Sequence, residues 1–192
     1  MFLPRPLIRL AVGAAAGYLL AVRPWHLRWG ATDSEVHEDL PGDDIVPLPQ
    51  LQATRAVTVN APPAAVWPWV VWLTGHPRPG ARPGTAGPTP PDPAQPPRDL
   101  KAGDVMDGGG YVVERVEAPY SLVLADRGAD ATTSCSVVLR DTGGGTRLIL
   151  RTRTRGEPTV RGAAHVAMMD VGDFVAMRRQ LLTIKARAES AG

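Results

Sequence analysis

The 192-residue sequence has one cysteine, few aromatic side chains and almost no net charge. The single thiol of Cys135 excludes an internal disulfide and any cysteine-rich zinc site. A formal charge of +2 is too small to indicate a nucleic-acid partner, and we expect none. The sequence also lacks a phosphate-binding loop, a Gly-x-Ser-x-Gly motif and a His-x-x-x-His pair. It therefore predicts no cofactor and no metal site.

Glycine and proline, in contrast, are abundant, with 20 residues of each. Hydrophobic residues at 44% and charged residues at 21% are typical of a globular domain, and the length suits one such domain. The excess of glycine and proline must then lie in turns and loops. Nine of the 22 residues in 77–98 are proline, which predicts a long Pro/Gly-rich loop there.

Residues 1–30 differ from the rest, because they carry four arginines and no acidic residue. Thirteen uncharged residues run between Arg9 and Arg23. As a helix they would span about 20 Å, against about 30 Å of bilayer hydrocarbon, so the flanks would have to help. A membrane anchor, a cleaved signal and a buried helix are all compatible with this pattern. We predict membrane association through residues 1–30, with no orientation, because the arginines are divided equally between the two ends.

The next segment, 31–52, reverses the charge. It contains six acidic residues and no lysine or arginine, and its prolines and glycine interrupt any long helix. We interpret it as an acidic linker arm that leads into the folded domain.

The domain itself is predicted to cover 53–190. Val57 and Val59 share one face of an opening strand, and a short apolar helix follows at 64–74. Short segments separated by Gly-rich turns then predict a run of antiparallel strands. A closing amphipathic helix is predicted at 171–190, from apolar residues at steps of three and four. The predicted strands are 53–59, 100–105, 111–116, 121–125, 132–140 and 146–155.

The last predicted strand places Arg147, Arg151, Arg153 and Arg155 on one face and Leu148, Leu150, Thr152 and Thr154 on the other. The basic face could contact phosphates or anionic lipid. The strict alternation favours the simpler interpretation, an outer sheet face exposed to solvent.

Several runs in the domain carry a resemblance to a known family. TRAVTVNAPPAAVWPWVVWL, DLKAGDV with YVVERVEAPYSLVL, and FVAMRRQLLTIKARAE resemble the opening, middle and closing parts of the START-like (SRPBCC) superfamily of polyketide cyclase and lipid-transport relatives. The stretch before them resembles an uncharacterised actinobacterial-type subgroup with an N-terminal apolar segment. Where that subgroup usually carries an aromatic-rich segment, this chain has the loop 77–98.

The resemblance implies an α+β fold of the helix-grip type. In such a fold a curved antiparallel sheet wraps around a long C-terminal helix and leaves an apolar cavity between them. Combined with the closing amphipathic helix and the last strand, this predicts a ligand cavity lined by apolar side chains. The predicted lining residues are Phe174, Met177, Leu181, Leu148, Leu150 and Trp67.

The predicted function is non-catalytic binding, transport or sensing of a small hydrophobic or lipid-like molecule at a membrane. Two alternatives stay open: an interaction module whose cavity is filled, and a polyketide cyclase- or aromatase-like enzyme. We predict no catalytic residue, because the four histidines form no pair at metal-ligand spacing and none is placed near Cys135. If the protein were an enzyme, His165, between the last strand and the closing helix, would be the polar residue to examine for a catalytic role.

Overall fold

The structure, a computed structural model, describes residues 13, 16–74, 99–106 and 110–191. The predicted loop 77–98 and residues 1–12 of the N-terminal segment lie outside the described residues. Among the described residues, no helix combines the length and apolar character that crossing a bilayer requires.

The described residues form one open antiparallel sheet of five strands in the order β1-β5-β4-β3-β2. Strands β2 to β5 follow one another as a meander, and β1 pairs with β5 along its whole length. The strands are β1 (Leu51–Val59), β2 (Tyr111–Glu117), β3 (Ser121–Arg127), β4 (Ala131–Asp141) and β5 (Thr146–Gly156).

Within the described part of the chain, the sheet is accompanied by the helices α1 (Arg23–Leu27), α2 (Asp33–His37), α3 (Pro63–Thr74) and α4 (Val160–Ser190). A short π-helical turn at Tyr18–Val22 leads into α1. The 31-residue helix α4 packs across the inner face of the sheet. The prediction of an α+β, helix-grip architecture with an open antiparallel sheet and a long C-terminal helix is confirmed.

Two element predictions were wrong. Helix α4 begins at Val160 rather than 171, because the Thr159 side chain caps it by accepting a hydrogen bond from Gly162 N at 3.0 Å. Two glycines in its first half are poor helix formers and hid this part of the helix. At 100–105 there is no strand but an isolated bridge between Val105 and Val112.

The inner face of the sheet carries the main core. Alternate residues of each strand point toward α3 and α4, and their apolar side chains form one buried cluster with those helices. The register places Leu148 of β5 beside Leu139 of β4, and Leu150 beside Val137. All four of these side chains are buried.

The outer face of the sheet is covered by residues 31–50, the segment predicted to be a linker arm. A smaller apolar cluster forms there, where Leu40 packs with Ala56, Val138 and Ile149. The interpretation of a solvent-exposed arginine face was therefore wrong: Arg151, at its centre, is only 2% exposed.

Opposite charges hold the arm on this face. Glu35 accepts hydrogen bonds from Nε and Nη2 of Arg147 at 2.7 and 2.8 Å. Asp43 accepts from Arg151 Nη1 at 2.5 Å and lies 3.1 Å from Nη1 of Arg153. The acidic arm and the basic strand face, read separately in the sequence, are thus two halves of one interface.

Backbone carbonyls of the arm provide further hydrogen-bond acceptors for the buried guanidinium of Arg151. Arg151 donates to the carbonyl oxygens of Glu35 and Glu38 at 2.6 and 2.8 Å, and its Nε donates to Thr54 Oγ1 at 3.0 Å. A buried charge is tolerated when it is both paired and hydrogen-bonded, and here it is both.

The chain crosses the edge of the sheet at Gly30. Ala56 N of β1 donates to Trp29 O at 3.2 Å, and Arg147 donates to Gly30 O at 2.6 Å. Gly30 has a φ of +72°, and a Cβ there would lie 2.2 Å from the carbonyl oxygen of Ala56. Only glycine fits this crossing. It places α1 on the α4 side of β1 and the arm on the opposite side.

The ion pair of the arm predicts a specific acid sensitivity. The hydrogen bond from Arg147 lowers the pKa of Glu35 from 4.5 to about 2. Because the pKa is lower in the folded than in the unfolded state, this stabilisation is complete above pH 4.5 and is lost as the pH falls toward 2. We expect about 3 kcal/mol of unfolding free energy to disappear over that window.

Urea denaturation between pH 2 and 6 measures this effect. Glu35→Gln should remove that part of the pH dependence, whereas Glu117→Gln, on an exposed residue of β2, should keep the wild-type slope. An unchanged slope in Glu35→Gln would contradict the assignment.

The close approach of the chain to β1 at Gly30 predicts that Gly30→Ala lowers the unfolding free energy more than Gly143→Ala does. Gly143→Ala meets only backbone strain, because Gly143 has a φ of +79° and no atom within 4 Å of its Cβ position. It should cost about 1 kcal/mol. Gly30→Ala adds the clash with β1 and should cost about 1–3 kcal/mol more, measured by chemical denaturation. Equal costs for the two variants would show that the chain does not need this close approach.

Candidate functional site

Five of the six predicted cavity residues lie together in the inner cluster. Their side chains face one another between α3, α4 and the middle of the sheet, and each is at most 5% exposed. They are Met177, Leu181, Leu148, Leu150 and Trp67. Their role in lining a ligand cavity stays a prediction.

Phe174 lies elsewhere, on the side of α4 that faces α1. Its ring packs edge-on against Trp25, with the centroids 5.2 Å apart, and lies 5.6 Å from the ring of His26. The guanidinium of Arg55 lies over the same ring at 5.5 Å. Phe174 therefore joins the N-terminal segment to the domain.

Arg55 is a buried charge that the sequence analysis did not single out. It lies on the inner face of β1, in register with Leu150, and is 1% exposed. Its Nη1 donates to Asp173 Oδ2 of α4 at 3.2 Å, and its Nε donates to the carbonyl oxygen of His26 at 3.0 Å. The sequence did contain a signal for it: Arg55 shares the inward-facing side of β1 with Val57 and Val59, where a charged residue is unexpected.

A second polar group lies beside it. Arg23 Nε donates to Asp170 Oδ2 at 2.7 Å, and the Tyr18 hydroxyl lies 3.2 Å from His26 Nε2. Burial lowers the pKa of His26, and burial followed by the charge of Asp170 raises the pKa of Tyr18. Both groups are therefore neutral near pH 7.

His26 is the most deeply buried member of this polar cluster. His26 is 4% exposed, and its Nδ1 has no hydrogen-bond partner among the described residues. A general base must reach its substrate, and His26 does not line the groove described next. The cluster instead ties α1 to α4 and β1.

The other sequence candidates are not brought together. His165 is half-buried in the first half of α4, and Cys135 is buried on the inner face of β4. Within the described part of the chain, no three His, Cys, Asp or Glu side chains are arranged to hold a metal ion.

Open space lies between α1 and the outward side of α4. This groove has a volume of about 650 Å³. Its apolar wall includes Trp25, Trp29, Phe174, Val175 and Leu182.

Two of the wall residues are unusually exposed for their size. Trp25 is 57% and Val175 is 70% exposed. The rim of the groove is basic, because Arg178, Arg179 and Arg187 also line it. The guanidinium of Arg178 lies 5.0 Å over the ring of Trp29, which orders both side chains. The groove thus combines an apolar wall with a cationic rim.

No family model and no curated protein matches this chain. Several solved structures do match. Protein CV1439 from Chromobacterium violaceum is 14% identical, over 72% of this chain and 97% of its own, with a TM-score of 0.46. A protein from Arthrobacter aurescens is 18% identical, over 73% of this chain and 87% of its own, with a TM-score of 0.46.

DynU16, from the dynemicin biosynthetic locus, is 18% identical over 71% of this chain and 48% of its own, with a TM-score of 0.44. Likeness at this level carries no information about a ligand or a reaction. The sheet and helix arrangement of the chain itself is consistent with the START-like fold that its sequence resembles.

The buried pair of Arg55 and Asp173 predicts a strong asymmetry between single and double substitutions. Asp173→Asn removes the carboxylate charge that pairs with the buried guanidinium and should cost about 3 kcal/mol of unfolding free energy. Arg55→Met combined with Asp173→Leu should recover most of that loss, because both members of the buried pair are replaced by apolar side chains. Glu189→Gln, which breaks the more exposed pair with Lys185, is the control and should cost far less.

Chemical denaturation of the four proteins measures this. A double variant less stable than Asp173→Asn would show that the pair does more than balance charge.

Proposed function

We propose that this protein binds a small hydrophobic molecule without transforming it, and that the groove between α1 and α4 is a binding site. The observation that carries the proposal is the open volume of about 650 Å³ with its wall of tryptophan, phenylalanine and aliphatic side chains. Small-molecule sites fall in this size range and are built mainly from such side chains.

The exposure of the groove wall supports the same conclusion. Trp25 and Val175, each more than half exposed in the wall of this groove, leave apolar surface in water. Covering that surface stabilises a complex by about 25 cal/mol per Å².

The START-like resemblance supports the class of ligand. It implies a fold used for lipid-like and polyketide-like molecules, with a cavity between the closing helix and the sheet. Ligand binding in that inner cavity, against Leu148 and Leu150, is a separate prediction from binding in the groove and stays a prediction.

A second candidate function is an interaction module with a filled interior. It is favoured by the near-complete burial of the five predicted lining residues in the inner cluster. The two candidates differ in whether a free small molecule is taken up.

Membrane association through residues 1–30 also stays a prediction. Its test must keep the part of that segment that packs into the domain, since His26 and Trp29 are hydrogen-bonded to β1 through their carbonyl oxygens. Removal of residues 1–15 is therefore the informative truncation for a membrane-fractionation experiment.

If the groove binds a hydrophobic molecule, replacing apolar wall residues by polar ones should lower the affinity. Val175→Gln with Leu182→Gln should weaken binding of the neutral fluorescent probe N-phenyl-1-naphthylamine by about tenfold, a loss of about 1.4 kcal/mol. The matched control is Val160→Gln with Met168→Gln, which changes two exposed apolar residues of the same helix outside the groove lining. The control should bind as the wild type does.

Fluorescence titration gives the affinities, and circular dichroism verifies that α4 is intact. Equal affinity in the groove variant and the wild type would place the probe elsewhere. No binding to the wild type would favour the filled module.

A further inference from the structure

The charges around the groove are of one sign. Among the described residues that line it there are three arginines and no aspartate or glutamate. The nearby acids of α4 are engaged elsewhere, since Asp170 pairs with Arg23 and Asp173 pairs with Arg55. Every charged side chain that a ligand would meet on the described lining is therefore cationic, which favours negative charge in the groove.

Arg178 is held in place before any ligand arrives. Its guanidinium lies over the face of the Trp29 ring at 5.0 Å. A guanidinium has five N–H donors arranged in a planar fork. A planar anion such as a carboxylate can accept two of these hydrogen bonds at once.

The apolar wall lies beside this cation rather than around it. Val175 and Leu182 are one turn before and one turn after Arg178 on α4, about 5 Å along the helix in either direction. Trp25 and Phe174 extend the same wall toward α1. A ligand that satisfies both parts needs an apolar chain and a single charged end.

We propose that the ligand of this groove is a single-chain amphiphile with an anionic head, its chain on the apolar wall and its head on Arg178. Arg179 and Arg187 add to the positive potential at the rim. This proposal rests on the proposed function, to which it adds the charge of the ligand.

The test is competition against bound N-phenyl-1-naphthylamine by three compounds with the same chain: dodecanoate, dodecanol and dodecylamine, each below its aggregation concentration. We expect dodecanoate to displace the probe at about tenfold lower concentration than dodecanol, with dodecylamine the weakest. The preference should shrink as sodium chloride is raised, because the head lies at a partly exposed rim.

Arg178→Gln with Arg179→Gln should abolish the preference for dodecanoate over dodecanol. Arg161→Gln, which removes an exposed arginine of α4 outside the groove lining, should retain the preference. Retained preference in the double variant would overturn the role of these arginines.

The outcomes separate the two proposals. Equal competition by dodecanoate and dodecanol in the wild type would overturn the anionic head and leave hydrophobic binding standing. Failure of the wild type to bind the probe or any competitor would overturn both. Sedimentation with phosphatidylglycerol vesicles, without displacement by monomeric dodecanoate, would identify the face as a membrane surface and overturn the proposal.

Discussion

The burial of Arg151 is the constraint on which the rest of the N-terminal half depends. A guanidinium in the middle of a sheet face is stable there only if acceptors surround it. The acidic arm, residues 31–50, supplies these acceptors through the carboxylate of Asp43 and the backbone carbonyls of Glu35 and Glu38. The path of residues 31–50 across the outer face follows from this requirement.

The same requirement positions the groove on the other side of β1. Because the arm is fixed outside, the chain must pass the sheet edge at Gly30 and bring α1 against α4. Arg55 then secures α1 from within by binding the carbonyl of His26. The groove is therefore not a property of the helix-grip core alone, since two of its aromatic walls, Trp25 and Trp29, belong to the N-terminal segment.

Most of the sheet could be predicted from alternation and Gly-rich turns, because those signals are local. The arm could not, since its acidic residues acquire their meaning only from arginines more than 100 positions away. The same holds for Phe174, whose apolar character fits a core stripe equally well on either side of α4. The inner position of Arg55 was visible in the strand pattern, but its partner Asp173 lies 118 residues on.

These long separations have a consequence for the order in which the chain acquires structure. Glu35 and Arg147 are 112 residues apart, and Arg23 and Asp170 are 147 apart. Contacts of such high contact order are associated with slow folding, because a long loop must close before any of them forms. During synthesis the acidic arm and α1 therefore emerge well before β5 and α4 exist to receive them. The arm and α1 therefore cannot form these contacts until β5 and α4 have been synthesised, so their early place in the sequence does not make them early in folding.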